Sequence, residues 1–67
     1  MHKYKFKIEE LNPFQEWHLH GTTDNQEHAI QRAKEICKRI SRPVRILTAQ
    51  NKLIAKFEPE KTQSEQQ

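Results

Sequence analysis

DNQEHAIQRAKEICKRISRPVRIL, residues 24–47, is the stretch on which the fold turns. Ala29, Ile30, Ala33, Ile36, Cys37 and Ile40 recur at spacings of one, three and four, so on a helix they line up as one apolar stripe. Gln31, Arg32, Lys34, Glu35, Lys38 and Arg39 fill the rest of the circumference. The basic residues gather in the last turns, where they complement the negative end of the helix dipole. Thr23 with Gln26, or Asp24 with Glu27, spells a capping box that would start the helix. Pro43 stops it, because the residue before a proline is pushed out of the helical region.

On either side the period changes from that of a helix to that of a strand. Upstream, Tyr4, Phe6 and Ile8 alternate with Lys3, Lys5, Lys7 and Glu9, the signature of a half-buried strand. Asn12-Pro13 carries turn chemistry, with a loop from about Leu11 to Phe14. Trp17 and Leu19 then alternate with Glu16, His18 and His20, and Gly21 ends this second strand. Downstream, Val44 and Ile46 alternate with Arg45 and Leu47, Ala49 to Lys52 forms a polar break, and Leu53, Ala55 and Phe57 alternate with Ile54 and Lys56.

The expectation is therefore an α+β domain, ββαββ, with one helix packed on one face of a four-stranded, mostly antiparallel sheet. Tyr4, Phe6, Ile8, Trp17, Leu19, Val44, Ile46, Ala55 and Phe57 are expected to meet the helical stripe. If the third strand docks beside the first, a right-handed crossover gives the order 2-1-3-4; the order 1-2-3-4 needs a central parallel pair. Residues 1–58 form the domain. Residues 59–67, a polar tail without apolar side chains, are expected to be disordered.

Trp17, the helix segment Glu27-His28-Ala29-Ile30 with Ala33, the strand Arg42-Pro43-Val44-Arg45-Ile46 and the final hairpin resemble small uncharacterised bacterial ββαββ proteins. The resemblance covers about residues 3–58 and departs at Asn51-Lys52, where those proteins carry Asp-Gly or Asn-Gly. It implies the fold and no activity.

Composition narrows the function classes. The 67 residues carry a formal charge of +3, unevenly spread: +5 up to Phe57 and −2 beyond it. One cysteine, Cys37, excludes an internal disulfide and suits a reducing, cytoplasmic compartment. The longest apolar run, Leu53-Ile54-Ala55, is too short for a signal peptide core or a membrane span. A chain this short has little stability to spare, so a second subunit would help it.

No enzyme chemistry is expected. Cys37 lies on the apolar stripe, where a thiol acts as a small hydrophobe and no histidine shares its face. Glu9 and Glu10 are adjacent and point to opposite faces of a strand. His18 and His20 share a face, but a zinc site needs three or four ligands, and two solvated histidines are the simpler reading. No cofactor or metal is expected.

Two binding readings remain. Leu47 and Ile54 fall out of phase with the core pattern and are expected side by side on the open sheet face, an apolar pair among charges. They favour a small interaction module that binds a protein partner, or itself as a weak homodimer, through the open face or an edge strand. The alternative is a basic accessory protein that binds nucleic acid through Lys3, Lys5, Lys7, Arg45 and Lys56 on that face. Against it, all the rings of the strands are expected on the helix side, leaving no platform for stacking bases.

Overall fold

The computed structural model of the chain describes residues 4–59. Its elements are β1 (Phe6–Leu11), β2 (Trp17–Thr23), α1 (Gln26–Ile40), β3 (Val44–Thr48) and β4 (Leu53–Phe57). The four strands form one sheet in the order β2-β1-β3-β4, and every neighbouring pair is antiparallel. This is the ββαββ fold, with β3 docked beside β1. Lys3 and the tail from residue 60 onward lie outside the described residues, as does the expected disorder of that tail.

The helix packs as its periodicity requires. Ala29, Ala33, Ile36 and Cys37 are buried against Ile8, Val44 and Ile46, with Phe6, Ile30, Ile40, Ala55 and Phe57 closing the margins of the core. Ile8 and Ile46 face each other across the central strand pair and are both fully buried. The small residues Ala29 and Ala33, with no exposed surface, let α1 approach these strands closely.

Both ends of α1 are capped, the first by a residue downstream of the expected ones. Asn25, in an extended conformation, accepts a hydrogen bond from the His28 amide at 3.0 Å. Thr23 Oγ1 instead accepts from the Asn25 amide at 3.2 Å, orienting the cap residue. At the other end Ser41 adopts the left-handed conformation (φ 57, ψ 43), and its amide donates to the Cys37 carbonyl at 2.9 Å. A side chain there costs about 1 kcal/mol that glycine avoids. Ser41→Gly is therefore expected to raise the urea midpoint with the slope unchanged; a lowered midpoint would count against this cap geometry.

The hairpin loops are held by side chains. Loop 12–16 closes around Asn12, whose side-chain oxygen accepts from the amides of Phe14 and Glu16, both at 2.9 Å. Thr48 Oγ1 plays that part in the second hairpin, accepting from Gln50 and Lys52 at 3.2 and 3.1 Å. Asn51 takes φ 69 there, the conformation for which a glycine is the common choice.

The sheet departs from simple alternation at two places. Ile8 pairs with Gly21 but Glu9 pairs with Leu19, so His20 is an extra residue in β2. Likewise Ile46 pairs with Ala55 but Leu47 with Leu53, which makes Ile54 an extra residue in β4. Each is a β-bulge, and a bulge shifts the phase of every residue beyond it. Gly21 therefore does not end β2, which runs on to Thr23. The Arg32 guanidinium of α1 lies where a side chain at Gly21 would begin, 3.2 Å from an ideal Cβ.

A candidate interface on the uncovered sheet face

The bulge at His20 decides the character of the face turned away from α1. Trp17 and Leu19, expected under the helix, register with Leu11 and Glu9 and so share the uncovered face with them. The expectation was wrong by one residue of phase. The strand rings are not all on the helix side: the Trp17 indole extends across the uncovered face, with the Arg45 guanidinium 4.2 Å and Lys56 Nζ 5.9 Å from its ring centre.

Arg45 sits between two partners. Its Nε donates to Glu9 Oε1 at 2.7 Å, across the central pair β1–β3, while its guanidinium stacks on Trp17. Both members of the ion pair are largely withdrawn from water, Glu9 at 14% and Arg45 at 28% side-chain exposure. A charge-assisted bond so placed, with the planar guanidinium against an indole, is among the stronger contacts a protein surface makes.

Leu47 also differs from expectation. Its registry with Lys7 and Leu53 puts it on the uncovered face as anticipated, yet it is only 6% exposed. A central strand surrounds it with neighbours, and the bulge in β4 sets Leu53 directly opposite it. Leu47 and Ile54 are therefore not an exposed pair. The apolar surface that remains lies at the two edge strands: Leu19 at 51% exposure on β2, Leu53 at 55% and Ile54 at 37% on β4. Phe14, in the first hairpin loop, is more exposed still.

The basic residues of the second reading are mostly engaged. Arg45 is paired with Glu9, Lys56 Nζ lies 3.3 Å from Glu58, and Lys7 Nζ donates to Asn51 Oδ1. Lys5 is exposed just before β1. Since Lys3 lies outside the described residues, the expected row of cations is represented here by four members.

Other groups of reactive side chains lie elsewhere. Glu10 points away from Glu9's partners, with Arg42 at 3.4 Å and His20 Nε2 at 3.9 Å. Arg42 Nε is buried without a hydrogen-bond partner. Among the described residues no group of three or more His, Cys, Asp or Glu side chains is placed to hold a metal ion. Cys37 is buried, and that burial, followed by the Glu58 carboxylate, pushes the thiol's pKa up, away from the reactive thiolate. It borders a groove of about 410 Å³ between α1 and β4, lined also by Lys34, Lys38, Phe57, Glu58 and Pro59. Among the described residues no helix is long and apolar enough to cross a membrane.

No family model, curated protein or solved structure matches this chain.

Proposed function

We propose that this chain is a non-enzymatic interaction module that binds protein through the uncovered face of its sheet. The observation that carries this reading is the pairing on that face. Arg45 is already held by Glu9 and Trp17, and the exposed groups around them are Leu19, Leu53 and Ile54. A surface that satisfies its own charges and shows a tryptophan, an arginine and aliphatic side chains has the composition of interface hot spots. Its cations offer phosphate little that they do not already have. The single free cysteine supports placing the protein in a reducing, cytoplasmic compartment.

The test is capture from a native extract on immobilised wild type and on Leu19→Lys/Leu53→Lys, both after nuclease treatment. Both leucines are more than half exposed, so the double variant keeps the fold. Proteins retained by the wild type and lost from the variant are the expected result. Identical captured sets on both would refute the reading of this face.

One observation favours nucleic acid as a second reading: the Trp17 ring lies on the uncovered face beside Arg45 and Lys56, as a stacking platform would. Trp17 is the only tryptophan in the chain, so its fluorescence reports that site alone. If protein is the partner, single-stranded DNA or RNA at low salt leaves the emission unchanged. Saturable quenching that weakens steeply with salt would transfer the function to nucleic acid.

A further inference from the structure

We propose that the partner of the uncovered face is a second copy of this chain, packed face to face about a two-fold axis that runs along the strands between β1 and β3. The proposal rests on the reading of this face as a protein interface and names its occupant.

The argument is one of charge complementarity. β1 and β3 are the central strands, and Glu9 stands opposite Arg45 across them. A two-fold along the strands at that centre exchanges the two positions, so Glu9 of each copy lies over Arg45 of the other. The two internal ion pairs then close into an alternating ring of four charges. A two-fold running across the strands at the same level would set Glu9 over Glu9 and Arg45 over Arg45, which the like charges forbid. The same axis that matches the charges lays the β2 edge of each copy, with Trp17 and Leu19, over the β4 edge of the other, with Lys56. An isologous contact needs a self-complementary patch, and this one is.

Size sets the strength. Four strands about 4.8 Å apart, each about 18 Å long, give a face of about 350 Å². That is about half the area per partner of a stable protein interface. The dimer is accordingly weak and exchanging, with a Kd between about 10 μM and about 1 mM.

Sedimentation equilibrium on the full chain tests it through a charge swap. Wild type is expected to rise toward twice the monomer mass as concentration approaches about 1 mM. Glu9→Arg and Arg45→Glu each place like charges face to face and are expected to weaken the dimer at least about tenfold. An equimolar mixture of the two variants restores both contacts across the interface, while the ion pair inside each chain stays broken. The mixture is expected to return to within about threefold of the wild-type Kd. Circular dichroism checks that both variants fold, and Leu19→Lys, altered at an exposed position, supplies an independent variant with the same expected loss. A wild type that stays monomeric to about 1 mM overturns the proposal. So does a mixture no tighter than its components, or a dimer that Leu19→Lys leaves untouched. The wider reading fails on a different result, the unchanged extract capture described above.

Discussion

Ile46→Ala is expected to leave much of the chain unfolded in water. Ile46 has no exposed surface, faces the equally buried Ile8 across β1–β3, and lies opposite Ala55 on β4. Removing its outer carbons forfeits their transfer energy and leaves a cavity at the junction of helix and sheet, a combined cost of about 2–5 kcal/mol. A domain of this size has about 3–5 kcal/mol in total, so the loss takes most or all of it. Ile46→Val, which keeps most of the volume, is expected to cost about 0.5–1.5 kcal/mol. Urea melts of the three proteins check the ranking. Coincident midpoints for wild type and Ile46→Ala would mean that the central strands are not packed under α1.

The second large effect comes from adding volume rather than removing it. Ala33 is fully buried on α1, where only a methyl group separates the helix from the sheet. Ala33→Leu brings three more carbons into a place with no room for them, and strain from such overpacking costs about 1–3 kcal/mol. Leucine is at the same time a good helix former, so a change governed by propensity alone would be close to neutral. A lowered melting temperature for Ala33→Leu, with Arg39→Leu on the exposed side of the helix unaffected, identifies packing as the cause. Equal temperatures for Ala33→Leu and wild type would place α1 farther from the strands than described.

The proposed face-to-face dimer gives the pairing of Glu9 with Arg45 a consequence beyond one chain's stability. An ion pair that is partly desolvated within the monomer is already preorganised for a second copy, so less ordering remains to be done on association. Lys56 with Glu58, both well exposed, is the contrasting case and contributes less than about 1 kcal/mol.

How much of this was legible beforehand differs from element to element. The helix and its buried stripe follow from local spacing, because the periodicity of apolar residues is the geometry of the helix itself. Glu9 and Glu10 also parted as adjacent strand residues must, one to Arg45 and one to Arg42. The cap moved from Thr23 or Asp24 to Asn25, since several adjacent residues of the right chemistry can all start a helix and tertiary position selects one. For the binding face, the residues singled out were partly the wrong ones: Leu47 is covered, whereas Trp17 and Leu19 are displayed. The one visible hint was Gly21 followed by Thr22 and Thr23, an alternation that continues past the glycine and would suit a strand carried on beyond a bulge.

The sequence by itself determined that the chain is ββαββ, that α1 covers one side of the sheet, and that Ile8, Ala33, Ile36, Val44 and Ile46 fill the core. These properties depend on period, and period is local. Only the tertiary structure decided the strand order β2-β1-β3-β4 and the two bulges, and through the bulge at His20 it turned Trp17 to the uncovered face. Alternation says which residues of a strand share a side, but a single inserted residue exchanges the sides. Whether one is inserted depends on the hydrogen-bond register with a partner strand and on what the helix leaves room for, here Arg32 against Gly21.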